Sequence, residues 1–234
     1  MAKYQLGIIY ISREGFQIYA PGIQSILDFK FVPEIVRDLD IINKELLYNL
    51  LKLFISNNNI PKCSLIIVIA DSASIIKDFI ASDQTKEQAI EFLEHIPFEE
   101  VSSKSISIEN GIRAYGTNKE LYELIKDAFI HEKFEVLMVL PAIAIGPEVS
   151  TRTTLDIDTI NIIIEKEPLL KEFDLLKQPI LPFRPEKNIT DTIETTDSVK
   201  EEKKSNNKRT ILLATVFFVL IIVLVIVYIN QPPL

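Results

Sequence analysis

Residues 65–70 read Leu-Ile-Ile-Val-Ile-Ala, an apolar run without a polar interruption. A strand with one solvent-facing side alternates apolar and polar residues, whereas a strand covered on both faces is apolar throughout. The run therefore predicts the central strand of a sheet that carries helices on both sides. This arrangement is typical of α/β proteins.

The residues before this run predict two strands, a third extended segment and a helix. Apolar runs at 4–11 and 16–20 are separated by Ser12-Arg13-Glu14-Gly15, which is a strand–turn–strand pattern. A third extended run, 26–32, ends at Pro33. Asn43 is a suitable N-cap for a helix that ends at the asparagines 57–59. The predicted apolar stripe of this helix consists of Leu46, Leu47, Leu50, Leu51 and Phe54.

The residues after the run predict helices that alternate with strands, and a hairpin. Asn110-Gly111, between extended segments 106–108 and 112–115, is a strong hairpin signal. A second apolar strand is expected within 136–145, where Pro141 interrupts it, and further helices around 156–165 and after Pro168. Other helix starts are expected at Asp71-Ser72 (a short helix through residue 80), Thr85-x-x-Gln88 (a helix to His95), Thr117-x-x-Glu120 and Thr154. The order predicts one α/β domain with a mixed sheet whose first strands form a meander.

Composition limits the classes of function. The chain has 234 residues, 25 Lys and Arg against 33 Asp and Glu, a net charge of −8, one cysteine and six glycines. One cysteine excludes disulfide-built modules and multi-cysteine metal sites. The acidic balance without a basic block argues against nucleic acid as the main partner. The composition favours a binding or structural protein over an enzyme.

The C-terminal part predicts a membrane anchor. Residues 211–229 contain no charged side chain, and a helix of that length spans roughly 28 Å, about the thickness of the hydrocarbon layer. Lys203, Lys204, Lys208 and Arg209 precede it, so the large N-terminal part is expected in the cytoplasm and the basic residues beside anionic headgroups. The predicted organisation is a globular domain at 1–181, a flexible charged linker at 182–209, a transmembrane helix at 210–230 and an extracytoplasmic tail at 231–234.

Candidate site residues each have a simpler structural interpretation. His95 and His131 end predicted helices, Cys63 begins a buried strand, and Asp71 follows the central strand, where α/β proteins often place active-site carboxylates. Two surface segments remain open: Glu99-Glu100 could contact a basic partner, and residues 150–154 (Ser-Thr-Arg-Thr-Thr) could receive an anion. We find no catalytic triad, phosphate-binding loop or metal-ligand spacing, so we expect no enzyme, cofactor or metal.

The stretch 85–146 resembles the actin-like type IV pilus assembly protein PilM and its type II secretion relative GspL. In that family a helix ends in Ile-Pro-Phe, followed within a few positions by an acidic residue and valine, and then by the strands of a small inserted subdomain. The corresponding residues here are Ile96, Pro97 and Phe98, Glu99-Glu100 and Val101. The resemblance, over about 4–178, implies the first half of an actin-like (RNase H-like) fold with a small inserted hairpin subdomain, besides the C-terminal transmembrane helix.

One departure from the family bears on nucleotide binding. ATP-binding members carry Asp-x-Gly in the first strand, but the corresponding positions in residues 6–12 hold Ile9 and Ile11. No carboxylate is available there to organise Mg²⁺, and no glycine permits close approach of the phosphates. ATP hydrolysis is therefore not expected.

A second resemblance lies at the end of the predicted domain. Residues 178–188 read QPILPFRPEKN, which is similar to the peptide that precedes the transmembrane helix of PilN, the membrane partner of PilM. In that family the peptide docks in a groove of the PilM domain, so the resemblance implies docking by Ile180, Leu181, Phe183 and Arg184. The prolines favour an extended backbone, and the apolar residues are anchors that need a pocket. Alternatively, these residues complete the packing of their own domain.

The favoured hypothesis is a non-catalytic scaffold at the cytoplasmic face of the inner membrane, within a pilus or secretion platform. Its partners would be other assembly proteins or copies of itself, and membrane lipid through the C-terminal helix. The alternatives are a degenerate nucleotide-binding switch completed by a partner, and an unrelated tail-anchored cytosolic adaptor. Stabilisation by Mg-ATP would distinguish the switch from the scaffold, since ligand at 100 times its Kd adds about 2.7 kcal/mol.

Overall fold

The computed structural model describes residues 6–177. The strands are β1 Leu6–Ser12, β2 Gly15–Tyr19, β3 Leu27–Lys30, β4 Val36–Arg37, β5 Asp40–Ile41, β6 Ser64–Ile69, β7 Ile75–Ile80, β8 Val101–Ile108, β9 Gly111–Asn118 and β10 Glu135–Pro141. The helices are α1 Lys44–Asn57, α2 Thr85–Glu94, α3 Lys119–His131, α4 Ala142–Ile145, α5 Pro147–Ser150 and α6 Ile157–Lys166. The mixed α/β class predicted from the sequence is confirmed.

The main sheet has five strands in the order β10-β6-β1-β2-β3. β1, β2 and β3 form an antiparallel meander, while β6 and β10 run parallel to β1. All six residues of β6 are buried, because apolar layers cover both of its faces. The predictions of a meander and of a central strand at 65–70 are therefore confirmed.

Alternate residues of the central strands supply two separate apolar layers. Ile9 and Ile67 belong to a large core that includes residues of α1 and α3. Ile8 and Ile66 belong to a second core with α6. This division follows from the two-residue period of side chains along a strand. Within residues 6–177, no helix is both long and apolar enough to cross a membrane; the predicted span at 210–230 lies outside the described residues.

Of the N-caps predicted for the core helices α1 and α3, the first is confirmed and the second is wrong. Asn43 caps α1 as predicted, and its side chain accepts a hydrogen bond from Leu46 N at 2.9 Å. The cap of α3 is Asn118 and not Thr117, because Asn118 accepts from Leu121 N. The Thr117 hydroxyl donates instead to the carbonyl of Ala73 at 2.9 Å. The predicted stripe of α1 is partly right, because Leu47 and Leu51 are buried whereas Leu46 is exposed.

An inserted subdomain follows the central strand. It is a three-stranded antiparallel sheet in the order β7-β9-β8, with α2 packed on one face. The hairpin predicted at Asn110-Gly111 joins β8 to β9. The helix predicted through residue 80 is wrong: Asp71–Ala73 forms a single 3-10 turn, and β7 follows it. Pairing with β9, more than 30 residues later in the chain, overrides the local capping signal.

Two further capping predictions are corrected by the structure. Helix α2 is present, but the Thr85 hydroxyl donates to the carbonyl of Ile80 and accepts from Ser82 N, so it holds the preceding loop and does not cap the helix. Helix α6 is capped by Asp156 and not by Thr154, because the Asp156 carboxylate accepts from Thr159 N at 2.7 Å. At α6 a neighbouring carboxylate reaches a free N–H group better than the predicted residue, whereas at α2 no side chain caps the helix.

The residues after α6 form a segment that we call the C-terminal strap, 167–177. The helix predicted after Pro168 is absent there, and three 3-10 turns follow one another: Glu167–Leu169, Lys171–Phe173 and Leu175–Lys177. Leu170 is buried in the α6 core, and Leu175 in the core of α1 and α3. The strap therefore passes from one face of the main sheet to the other beside its edge strand β10. There the buried Asp174 carboxylate accepts from Val139 N and Leu176 N, both at 3.1 Å.

Candidate functional site

The carboxyl ends of the parallel strands β1, β6 and β10 meet at one edge of the main sheet. Ligands of α/β proteins commonly bind at this edge. Asp71 lies two residues beyond the end of β6, and α5 follows β10 after four helical residues and Gly146. The structure brings together two candidates that are far apart in sequence, since the Ser150 hydroxyl is close enough to the Asp71 carboxyl to lower its pKa.

The surroundings of Asp71 disfavour its charged form. Burial raises the pKa of the Asp71 carboxyl, and this effect outweighs the opposing influence of the Arg113 guanidinium and of the Ser150 hydroxyl. Arg113 is engaged elsewhere, because it forms two hydrogen bonds with Asp78 at 2.5 and 2.6 Å. These bonds lower the pKa of the Asp78 carboxyl. The pKa values of the two aspartates are therefore shifted in opposite directions.

Tyr10 fixes the loop beside Asp71. Its hydroxyl donates toward the carbonyls of Arg152 at 2.9 Å and of Val149 at 3.1 Å. Burial, with a smaller contribution from Asp71, raises the pKa of the Tyr10 hydroxyl above its ordinary value, so the phenol stays neutral. The backbone at 149–152 is therefore held by the Tyr10 side chain. The apolar pattern of β1 predicted burial at position 10, but gave no signal for this pair of bonds.

Two observations bear on metal and nucleotide binding at this edge of the sheet. Within the described range 6–177 there is no group of three or more His, Cys, Asp or Glu side chains that could hold a metal ion. The positions that correspond to Asp-x-Gly of ATP-binding actin-like proteins are core positions, since Ile9 is 0% and Ile11 is 1% exposed. Neither side chain has solvent around it in which a nucleotide phosphate or Mg²⁺ could sit.

The raised pKa of Asp71 has a consequence for stability. A carboxyl whose pKa is higher in the folded state loses stabilising free energy as the pH rises above its ordinary pKa. We therefore expect Asp71→Asn to have, at pH 7, a free energy of unfolding at least equal to that of the parent. Asp78→Asn is the control with the opposite expected effect. It should be less stable than the parent at pH 7, and this difference should shrink as the pH falls and the Asp78 carboxyl of the parent becomes protonated. Urea unfolding at pH 4.5 and 7 measures both. A clear loss at pH 7 in Asp71→Asn would contradict this.

The remaining polar candidates have structural roles. His131 lies in the last turn of α3, and the His95 ring donates from Nδ1 to the Glu91 carbonyl at 2.6 Å, so both histidines end helices as predicted. Cys63 is half-buried just before β6, and burial raises the pKa of its thiol. Glu100 pairs with Lys119 at 3.3 Å on the surface. In the Ile-Pro-Phe segment, Ile96 and Phe98 are buried in the main core, so this segment ties α2 to the body of the domain.

A groove between α2 and β7 has no counterpart in the sequence analysis. It has a volume of about 500 Å³, within the range of ligand pockets. Its lining residues are Lys77 and Phe79 from β7 and Gln88, Glu91, Phe92 and His95 from α2. The Phe79 and Phe92 rings meet edge to face with centroids 5.9 Å apart, and Lys77 Nζ lies 5.0 Å from the Phe79 centroid. We call this the α2–β7 groove. The groove forms because residues 75–80 are a strand that pairs with β9, and α2 packs beside that strand.

The predicted docking and basic residues lie outside the described residues. These are Ile180, Leu181, Phe183 and Arg184, and Lys203, Lys204, Lys208 and Arg209. The described residues end at Lys177, whose ammonium is 3.5 Å from the Asp174 carboxylate. The strap therefore holds the chain beside β10 immediately before the predicted docking segment.

Comparison with known proteins finds distant structural similarity. No protein-family model matches the sequence, and no curated protein shows a significant match to it. A structure of the PilM–PilN type IV pilus biogenesis complex matches with a TM-score of 0.38 and 8% identity over 60% of this chain and 48% of that chain. The cytoplasmic domain of EpsL, an inner-membrane component of the type II secretion system of Vibrio cholerae, matches with a TM-score of 0.34 and 14% identity over 61% of this chain and 59% of that chain.

A third structure is a Bacteroides thetaiotaomicron protein of unknown function with an actin-like ATPase fold. It matches with a TM-score of 0.30 and 16% identity over 58% of this chain and 52% of that chain. The matched part of this chain thus spans about half the length of each of these proteins.

Proposed function

We propose that this chain is a non-catalytic, membrane-anchored scaffold of a type IV pilus or type II secretion assembly platform that works by binding other proteins. The observation that carries the proposal is the main sheet with its insertion. A three-strand meander leads through α1 to a parallel strand, and a small antiparallel subdomain is inserted before α3 and β10. These are the features that the sequence resemblance implies for the first half of an actin-like fold.

The absence of catalysis is supported by the first strand. ATP-binding members need a carboxylate and a glycine there, and this chain places Ile9 and Ile11 in the closed apolar core. Asp71, at the end of the neighbouring strand β6, is held by burial toward its uncharged form. The domain is thus suited to present surfaces rather than to hold a nucleotide.

The docking segment of the scaffold would be residues 180–184. Ile180, Leu181 and Phe183 are the apolar anchors, and Arg184 supplies the charge. The segment begins three residues after the end of the strap, which Asp174 joins to β10. The predicted span at 210–230 and the basic residues before it would keep this segment within reach of the cytoplasmic face of the inner membrane.

The test is the double variant Leu181→Asp and Phe183→Asp in the full-length chain. Two charges on the anchors should make their burial in a partner pocket unfavourable by several kcal/mol. We expect loss of at least nine-tenths of the co-purification with pilus or secretion assembly proteins, or of self-association, after extraction from membranes. Thermal unfolding of the cytoplasmic domain should be unchanged.

The matched control is Ile189→Asp with Ile193→Asp, which places the same two charges later in the predicted linker. This control should retain the partners of the parent chain. Equal capture by both double variants would reject the docking role. A large loss of thermal stability in the Leu181 and Phe183 variant alone would favour the alternative that these residues complete their own domain.

A further inference from the structure

The two edges of the main sheet differ in what lies beside them. At β10 the strap covers part of the edge, and the Asp174 carboxylate accepts a hydrogen bond from Val139 N at 3.1 Å. At the opposite edge, within residues 6–177, β3 pairs with β2 alone. An edge strand with unpaired N–H and C=O groups is a template for pairing with another chain. The β3 edge is therefore a candidate interaction surface.

One hydrogen bond shows which backbone groups of β3 point outward. Phe31 N donates to the carbonyl of Glu14, just beyond the paired residues of β2 and β3. In an antiparallel pair, successive residues direct their N–H and C=O groups to opposite sides. Phe29 and Phe31 therefore direct these groups toward β2, whereas Asp28 and Lys30 direct theirs away from the sheet. The side chains of Asp28 and Lys30 are also exposed.

The charges of these two residues select a second copy of β3 as the partner strand. In an antiparallel pair of β3 strands, residues with outward-pointing backbone groups must lie opposite each other, and three registers oppose the charged ones. One register opposes Asp28 to Asp28 and another opposes Lys30 to Lys30, and like charges directly opposite are destabilising. The third opposes Asp28 of each copy to Lys30 of the other, with Phe29 at the two-fold axis. It forms two pairs of opposite charge.

The helix above this edge has an exposed apolar row on the same side. Leu46, Leu50 and Leu53 recur at intervals of four and three residues, so they form one row along α1. Leu46 is 40% and Leu53 is 56% exposed. At 3.6 residues per turn, this leucine row lies on the opposite side of the helix from Tyr48, whose ring meets that of His131 on α3. The leucine row therefore faces away from α3.

The spacing of the sheet would bring two such helices into contact. The Phe54 ring, one turn after Leu50, lies 5.6 Å from the Phe16 ring on β2 and 5.4 Å from the Phe29 ring on β3. Helix α1 therefore lies over the gap between β2 and β3. When two β3 strands pair, the gaps of the two copies are two strand spacings apart, about 10 Å. Packed helices have axes about 8–10 Å apart, so the two leucine rows would meet.

We propose that β3 pairs in antiparallel fashion with β3 of a second copy of this chain, with Asp28 of each opposite Lys30 of the other. The two five-stranded sheets then form one continuous sheet. The α1 helices pack side by side over the joint and bury their leucine rows. This contact is two-fold symmetric and closes at a dimer. The inference goes beyond the proposed function and does not depend on the docking role of 180–184.

A charge exchange in full-length chains in detergent tests the register. Asp28→Lys and Lys30→Asp should each weaken self-association, measured by sedimentation, at least about tenfold, because each opposes like charges twice. An equimolar mixture of the two variants should recover association to within about threefold of the parent, since every opposed pair is again of opposite charge. The chain with both substitutions should recover as well. The contacts of these side chains within the domain, with Gln17 and Glu14, are on the surface, so the variants should fold.

The matched controls are Asp127→Lys on α3 and Lys86→Asp on α2, which make the same charge changes at exposed positions away from β3. Both should associate like the parent. Loss of association in Asp28→Lys and Lys30→Asp without recovery in their mixture overturns the register. Association of both variants at the parental strength overturns the whole proposal.

The helix contact has a separate test. The double variant Leu46→Asp and Leu53→Asp should also weaken self-association at least about tenfold, because four carboxylates would meet at the joint. Both leucines are exposed, so its Tm should stay close to that of the parent. Ile157→Asp, at a 60% exposed position of α6, is the control and should associate normally. Parental association of the Leu46 and Leu53 variant would exclude packing of the two α1 helices.

The other possible occupants of the β3 edge give different results. A parent chain that stays monomeric overturns the proposal, and capture of another protein that Asp28→Lys abolishes would then assign the edge to that protein. If the Leu181 and Phe183 double variant loses self-association while the β3 variants keep it, the copies meet through 180–184 and the β3 surface is rejected. The reverse result supports the β3 contact and leaves the docking role to its own capture test.

Discussion

Ile9→Asp is expected to unfold the domain rather than to create a nucleotide site. This substitution introduces the carboxylate of the ATP-binding pattern, but Ile9 is 0% exposed within the core of α1 and α3. A buried carboxyl without a partner costs several kcal/mol, and the loss of the aliphatic side chain adds about 2 kcal/mol or more. The sum, roughly 5 kcal/mol or more, is comparable to the whole stability of many domains.

The measurement is the soluble yield of the variant, followed by urea unfolding of any folded fraction. Ile9→Val is the matched control and should lose only about 1 kcal/mol. A soluble Ile9→Asp variant with near-parental stability would show that position 9 tolerates charge. It would also reopen the conclusion that the surroundings of Ile9 leave no room for a nucleotide phosphate.

Asp174→Ala is expected to have the second-largest effect, a loss of about 3 kcal/mol in the free energy of unfolding. The side chain is buried and accepts hydrogen bonds from Val139 N on β10 and from Leu176 N. Hydrogen bonds to a charged group contribute roughly 1.5–3 kcal/mol each. The variant leaves an edge-strand N–H without its partner and releases the strap from β10. Its ion pair with Lys177 should add little, because the lysine side chain is exposed.

Thermal unfolding should show this loss as a Tm lower by roughly 6–12 °C. Asp127→Ala is the control, because Asp127 lies on the exposed surface of α3 and touches Lys126 at 3.7 Å. Its Tm should stay within about 2 °C of the parent. Proteolysis should also cut the Asp174→Ala chain faster within 167–177. Equal Tm values for the two variants would show that Asp174 does not hold the strap.

Where the sequence analysis is right about the fold, the deciding signals are local. The uniform apolar run at 65–70 identifies the central strand, and Asn110-Gly111 identifies the hairpin, because each depends on the chemistry of adjacent residues. Asn43 is a correct cap for the same reason. These elements place the meander, the insertion and the parallel strands in their correct order.

The errors arise where distant residues decide the conformation. Residues 75–80 form a strand because β9 pairs with them, and nothing in residues 71–80 reveals that partner. Thr117 loses the cap of α3 to Asn118 because Ala73, from another part of the chain, accepts its hydroxyl. The strap has no helix because its turns follow contacts with β10 and with Lys104. Tertiary contacts override local propensity in all three cases.

One part of the candidate site could likewise be predicted from the sequence, and the rest could not. Asp71 and Ser150 could be expected near each other, because both follow strands whose carboxyl ends meet at one edge. The hydrogen bonds of Tyr10 with the loop at 149–152 depend on side-chain packing that no sequence pattern reports. The same is true of the pairing of Arg113 with Asp78 and of the influence of Arg113 on the pKa of Asp71. The α2–β7 groove could not be predicted either, because residues 75–80, which form one of its walls, were predicted as part of a helix.

The central claim is that residues 180–184 bind another protein molecule. The most direct measurement places the photoreactive residue p-benzoylphenylalanine at position 183 of the full-length chain, with irradiation in its own membranes and position 189 as the control. The account predicts adducts between position 183 and a second protein molecule, either another copy or an assembly protein, at several times the yield from position 189. Adducts confined to the same chain or to lipid would contradict it, and would return residues 180–184 to the packing of their own domain.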